Sequence, residues 1–227
     1  MIDERAAKLW ARNGGYKRRL EKTKEHIKQC LKTCPNNYVS CSFGKDSTVL
    51  LHLVLQEKKD VQARFISWPE TKYIDNYDEV IKEWESLGVD ILELKLTRET
   101  LDEKVKDRWL KLAKNASGSF VGLRASESKG RRITLRANGT IYKNKKGFYR
   151  LCPLAWWQDM DIAAYVVENS LPTLNTYKKK GFGSRTSSRI PRSDFFIREE
   201  YLNNLKINNP TAFFAIKNIY PEVDNYV

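Results

Sequence analysis

Within six residues, Ser42-Phe43-Gly44-Lys45-Asp46-Ser47, the chain gathers two hydroxyls, a glycine, a lysine and a carboxylate. Hydroxyls donate hydrogen bonds, lysine brings a mobile positive charge, and glycine lets an oxygen approach the backbone closely. Strand-forming Tyr38 and Val39 precede this run, and a helical pattern from Val49 to Leu55 follows it. A strand, a donor-rich turn and a helix N-terminus together make an anion site, because the first turn of a helix presents unpaired N–H groups and the positive end of its dipole. The spacing is not that of a Walker A loop, which needs a glycine five residues before Gly44, nor of a G-x-G-x-x-G fingerprint. Asp46 can order Lys45, cap the helix, or help to hold Mg²⁺ against phosphate oxygens.

A second group of candidates is cationic. Arg124, Arg131, Arg132, Arg150, Arg185 and Arg189 all lie downstream of the loop, where guanidinium forks suit sulfate or phosphate oxygens. Cys152 is the best placed of four cysteines for a functional thiol. Cys30, Cys34 and Cys41 read as helix and strand positions, and no CxxC pair suggests a metal cluster. Trp156 and Trp157 read as core aromatics first and a stacking platform second.

The elements that must hold these groups alternate. A basic helical arm is expected over residues 3–33, interrupted at Gly14-Gly15 and ended by Pro35. Strands are expected near 38–41, 61–68, 89–96 and 120–124, with helices at 47–58, 74–87 and 99–114. Such alternation predicts an α/β fold with a doubly wound parallel sheet. Ligands of such sheets lie at the carboxyl ends of the strands, which places Trp68 beside the loop. Residues 131–151 predict a hairpin insertion, with Asn138-Gly139 as a type I′ turn. A helix at 160–169, a basic loop at 177–194 and two C-terminal helices, the second with Pro210 in its first turn, complete the reading. The organisation expected is an arm (1–35), one α/β domain (36–194) and C-terminal helices packed on it (195–227).

The chain of 227 residues carries a formal net charge of +13. Residues 1–35 hold ten Lys/Arg against four acids, residues 36–120 thirteen against fifteen, and residues 121–200 sixteen against seven. The excess flanks the loop region, as a rim facing a polyanion would. No apolar run approaches the ~20 residues of a membrane span. With a charged N-terminus, this predicts a cytoplasmic protein without membrane association.

The run from Ser42 to Ser47 resembles the S-x-G-K-D-S signature of the PP-loop ATP pyrophosphatases. Gly122-Leu123-Arg124-Ala125-Ser126-Glu127-Ser128 with Arg131 resembles the G-x-R-x-x-E-S…R segment of the phosphoadenylyl-sulfate (PAPS) reductase family, which includes the small subunit of ATP sulfurylase. Arg150 to Trp157 with Asp161-Ile162 and Tyr165 is similar to its R-x-x-P-L-x-x-W…D-[IV]-x-x-Y segment, and Leu171-Pro172, Tyr177 and Gly181-Phe182 to its continuation. The resemblance covers residues 36–185. It implies an adenine nucleotide alpha-hydrolase fold and ATP with Mg²⁺ as cofactors. The nucleotide would lie on Ser42, Phe43, Gly44, Lys45, Asp46, Ser47 and Trp68, with Lys45, Asp46 and Cys152 in catalysis and Asp46 at the metal. Thioredoxin-dependent members act through a C-terminal cysteine, and no cysteine follows Cys152 here. Attack on the ATP α-phosphate is therefore expected rather than reduction. DNA activated for phosphorothioation is the expected acceptor, with a cysteine desulfurase as sulfur donor to Cys152 and a homodimer as a further possibility. Sulfonucleotide handling and nucleotide binding without turnover are the alternatives.

Overall fold

The computed structural model describes residues 2–102, 104–191 and 195–227. The expected domain boundary at 194 lies outside them. β1 (Asn37–Ser40) leads through the loop into α3 (Lys45–Glu57), and β2 (Ala63–Ser67), α4 (Tyr77–Ser86) and β3 (Ile91–Lys95) continue the alternation. After α5 (Val105–Leu112) the chain returns to β4 (Gly118–Val121), and β5 (Ile141–Lys143) and β6 (Tyr149–Leu151) finish the sheet. Its six strands run in the order β3-β2-β1-β4-β6-β5, parallel except for β5 at the edge. The chain thus winds outward on one side of β1 and then restarts on the other. This is the doubly wound topology, with its switch point between β1 and β4.

Burial explains the strand compositions. Val39, Ala63, Phe65 and Phe120 are covered on both faces of the sheet, as parallel strands require. α3 is apolar nearly all round because Val49, Leu50, Leu51, Leu53 and Val54 are all buried. Behind it lies α7 (Asp159–Glu168), whose Ile162, Ala163 and Val166 join the same core.

The N-terminal arm is two helices, α1 (Glu4–Ala11) and α2 (Gly14–Thr33), and Asn13 caps the second by accepting from the N–H groups of Gly15 and Tyr16. The arm is part of the main core, to which Ala7, Tyr16 and Ile27 contribute. It is tied to the start of α7 by Asp161, which is fully buried. Asp161 accepts from Trp10 Nε1 at 2.8 Å, from Arg19 at 2.6 and 3.0 Å, and from the Gln158 N–H at 2.8 Å.

The hairpin expected at 131–151 is half right. Asn138-Gly139 is not a strand turn: it ends a helix, α6 (Lys129–Asn138), whose first turn is capped by Ser128. Gly139 has φ 79° and donates its N–H to the Leu135 carbonyl, a glycine stop of the kind helices favour. The alternation of Ile133, Leu135 and Ala137 misleads because only Leu135 is buried. The later turn, 144–147, does join β5 to β6. Part of the expected basic loop is also helical, as α8 (Asn175–Lys180). α9 (Phe195–Asn208) and α10 (Pro210–Ile219) close the chain, with Pro210 in the first turn as expected. Among the described residues no helix is long and apolar enough to cross a membrane.

Candidate active site

The loop between β1 and α3 is built around Phe43. Its backbone is left-handed (φ 52°), a conformation costing a non-glycine residue about 1–2 kcal/mol. Its ring is fully buried against Phe65, with centroids 5.3 Å apart, and this contact holds the bend. Phe43 was expected to touch nucleotide; its side chain points into the core instead. Ser47 locks the turn: its hydroxyl donates to the Gly44 carbonyl at 3.0 Å and accepts from the Ser42 N–H at 3.2 Å.

Two joined hollows open beside this loop. One, of about 510 Å³, is lined by Ser42, Gly44, Lys45, Asp46 and Ser47 from the β1 end, and by Gly122, Arg124, Glu127 and Arg131 beyond β4. Gly122 lets the two segments pack closely: a Cβ there would lie 3.3 Å from the Asp46 backbone, so the loop would have to give by a few tenths of an ångström. The other hollow, of about 370 Å³, is an apolar slot over the ends of β1 and β2, lined by Phe65, Ile66, Trp68, Trp109 and Leu112. Ser40, Ser42, Trp109 and Thr186 border both.

The charges in the larger cavity form a chain. Arg124 is 1% exposed, and its Nε lies 2.7 Å from Asp46 Oδ1, off the hydrogen-bond line. Its Nη2 donates to Asp159 Oδ1 at 2.8 Å, and its Nη1 to Ser126 Oγ at 3.0 Å. Lys45 Nζ stands 3.5 Å from the same Asp159 oxygen and donates to the Ser184 carbonyl at 3.0 Å. Burial pushes the Asp46 carboxyl above its ordinary range, against the pull of Arg124 and Lys45. The pairing keeps Arg124 charged despite its burial.

A strap from Gly183 to Ile190 crosses the site. The Tyr177 hydroxyl accepts from the Lys45 N–H at 3.1 Å and shares a 2.7 Å hydrogen bond with Thr186. Thr71 donates to the Ser188 carbonyl at 2.7 Å, and Glu70 accepts from the Ile190 N–H at 3.2 Å. Arg189 lies over the Trp68 ring at 4.8 Å. At the mouth, Arg131 pairs with Glu127, and Arg185 donates to the Glu127 carbonyl at 2.8 Å.

Ser42, Gly44, Lys45, Asp46, Ser47, Trp68, Arg131, Arg185 and Arg189 therefore meet at the two hollows. Three arginines do not serve as expected. Arg124 lines the cavity, but its guanidinium is engaged by protein carboxylates rather than open to an anion. Arg132 lies outside the cavity on the exposed face of α6, its Nε 3.5 Å from the Ala125 carbonyl. Arg150 pairs with Ser119 in the middle of the sheet, below the carboxyl ends, and reaches Ser119 Oγ at 3.4 Å. Cys152 is also elsewhere. It is 1% exposed in a small apolar cluster with Ala125, Leu135 and Ala155, and burial pushes its thiol up to about 11. Trp157 is a core residue that donates to Thr23 Oγ1 at 2.8 Å, while Trp156 is exposed.

Asp159 and Thr186 were not singled out as site residues from sequence. Asp159 carried a signal, as a first-turn carboxylate of α7. Because Asp161 takes the capping bond, Asp159 is left to face Lys45 and Arg124.

A doubly wound sheet with this loop at its switch point defines a PP-loop adenine nucleotide alpha-hydrolase fold. Residues 36–185 match the family profile of the phosphoadenosine phosphosulfate reductase domain, and the chain belongs to that family. It is 28% identical over 169 residues to a phosphoadenosine 5'-phosphosulfate reductase of Xanthomonas euvesicatoria, a match covering 60% of this chain and 64% of the relative's length. Solved structures that share the fold include an adenylyltransferase and a tRNA thiolase. The FMN adenylyltransferase of Candida glabrata in complex with FMN and the ATP analogue AMPCPP aligns with TM-score 0.56 at 18% identity, covering 77% of this chain and 67% of that one. The U34-tRNA thiolase NcsA of Methanococcus maripaludis, with its [4Fe-4S] cluster, aligns with TM-score 0.51 at 17% identity, covering 93% and 80%.

Proposed function

We propose that the chain binds ATP across the two hollows and catalyses substitution at the α-phosphorus. An acceptor oxygen forms a bond to that phosphorus, the bond to the α,β-bridging oxygen breaks, and pyrophosphate leaves with the electron pair. The observation that carries this reading is the continuity of the apolar slot with the Ser42–Ser47 loop, where Lys45 and the start of α3 face the larger cavity. Binding of an ATP analogue by the adenylyltransferase of the same fold supports it. The β- and γ-phosphates would meet Ser42, Ser47, Lys45 and the N-terminus of α3. Positioning and charge neutralisation then supply most of the acceleration.

Among the described residues no three His, Cys, Asp or Glu side chains converge on a metal. Mg²⁺ commonly takes one or two carboxylates together with substrate phosphates. Asp46 and Asp159, with side chains 20% and 43% exposed, fit that use. Mg²⁺ held there would neutralise charge on the phosphates.

For the acceptor we favour a nucleic acid, and DNA activated for sulfur insertion is the specific form proposed. Exposed bases on α6 and α8 support it, since both helices contribute residues to the cavity. A cytoplasmic setting fits such a substrate. Because Cys152 is buried away from the cavity, sulfur from a desulfurase would have to arrive by another route. A sulfonucleotide substrate is the second reading, favoured by the names of the curated relatives. Against reduction by this chain's own thiols stands their burial, all four being covered.

The test is release of pyrophosphate and AMP from ATP with candidate acceptors, DNA among them. Lys45→Ala should lower the rate at least about a hundredfold, the scale of losing one preorganised charge at a developing anion. Sulfite and adenosine 3',5'-bisphosphate formed from PAPS when an external dithiol is supplied as the two-electron reductant, with no pyrophosphate from ATP under any acceptor, would favour the second reading.

A further inference from the structure

We propose that the strap is an autoinhibitory latch: its Ser184 carbonyl and the paired Tyr177 and Thr186 hydroxyls hold the loop groups that the terminal phosphates of ATP must take over. This rests on the nucleotide reading above and adds regulation of the same site. The contacts converge on two residues of the loop. The Lys45 N–H, the first of α3, donates to the Tyr177 hydroxyl at 3.1 Å, and Lys45 Nζ donates to the Ser184 carbonyl at 3.0 Å. At Gly44, the close approach that a glycine leaves open to an oxygen is already taken. A Cβ there would lie 3.3 Å from the Tyr177 hydroxyl and 3.5 Å from Thr186 Oγ1. Under this cover Lys45 is only 4% exposed.

A backbone N–H has one proton, so a phosphate oxygen and the Tyr177 hydroxyl compete for it. The exchange favours phosphate, because hydrogen bonds to an ionised acceptor are roughly twice as strong as neutral ones. The strap is built to yield. Among the described residues, 183–190 form neither helix nor strand, and the near half is held by bonds to Lys45, Tyr177 and the Glu127 carbonyl. Gly181, with φ 77°, and Gly183 stand at its base, where a hinge can absorb the backbone change. The far end is pinned by Thr71 on the Ser188 carbonyl and by Glu70 on the Ile190 N–H. Residues 183–187 therefore lift while Ser188 to Ile190 stay in place. A ligand that needs the open form binds more weakly by the fraction of molecules already open. AMP has no terminal phosphates and does not meet this barrier.

Calorimetry on the full chain tests this with AMPCPP, pyrophosphate and AMP, on wild type and Tyr177→Phe. The variant keeps the ring and removes the hydroxyl that holds the Lys45 N–H. It should bind AMPCPP and pyrophosphate about fivefold more tightly than wild type, the scale of one hydrogen bond lost from the latched form, with AMP affinity unchanged. Weaker binding of pyrophosphate by the variant would make the hydroxyl a phosphate ligand and overturn the latch. Equal binding by the two proteins would overturn it as well, and either result leaves the nucleotide reading intact. Should Tyr177→Phe fail to fold, trypsin on wild type decides. Pyrophosphate should speed cleavage after Arg185 several-fold, and protection or an unchanged rate there overturns the latch. If neither protein binds AMPCPP or pyrophosphate, both readings fall.

Discussion

Arg124 sets the charge pattern of the site more than any other residue. It stands between Asp46 and Asp159, so two carboxylates can lie beside a phosphate cavity without repelling its ligand. Removing one member of such a buried arrangement leaves the others uncompensated. Arg124→Met should destabilise the protein by about 3–5 kcal/mol, lowering Tm by roughly 2–4 °C per kcal/mol, as thermal unfolding will measure. Sequence identified this arginine but not its task, because Asp46 and Asp159 meet it only through the fold. The thiols make a second residue-scale prediction. Burial raises Cys41 and Cys152 to about 11 and Cys30 to about 12, from an ordinary 9.0. A thiol with a raised folded pKa stabilises fully below the unfolded value and loses that contribution as pH climbs through the folded one. Stability should therefore fall between about pH 9 and pH 12, and native thiols should resist alkylation at pH 8 until the chain unfolds. Rapid native labelling of Cys152 at pH 8 would contradict its burial.

At the scale of elements, local chemistry was read well where one period dominates. Val49 to Leu55 is helix and Ile91 to Leu94 is strand, and both were legible. The failure at 131–139 has a physical reason: three apolar residues at alternate positions fit a strand, yet Ser128 and Gly139 supply helix caps at the right separation. Ser128→Ala should cost about 1 kcal/mol, and Gly139→Ala a similar amount because φ is positive there. A hairpin would barely register the first change, so the pair of melting temperatures separates the two structures. The strap was legible only as a basic loop carrying Arg185 and Arg189; its anchoring was not, since Glu70, Thr71 and Tyr177 meet it only through the fold. Asp161 belongs to this scale too. Asp161→Ala strands Arg19 and Trp10 and should cost about 3–5 kcal/mol, loosening the arm in hydrogen exchange before the sheet opens.

For the whole molecule, the switch point between β1 and β4 locates the site, and the alternation of elements made that placement readable from sequence. The charge distribution was equally plain, but its purpose is a matter of surfaces. α6 carries exposed Lys129, Arg131 and Arg132, α8 carries Lys178, Lys179 and Lys180, and both helices border the larger cavity. If a nucleic acid is the acceptor, affinity should fall with salt at a log–log slope of about −0.9 per duplex phosphate contacted. Replacing Lys178, Lys179 and Lys180 with glutamate should flatten that slope while leaving ATP binding unchanged. A crystal structure with AMPCPP tests the central claim most directly. The account predicts the β- and γ-phosphates on the Ser42–Ser47 loop, the base in the slot beside Trp68, and the α-phosphorus open to the larger cavity. A nucleotide bound elsewhere, or one whose α-phosphorus is sealed from that cavity, would contradict it.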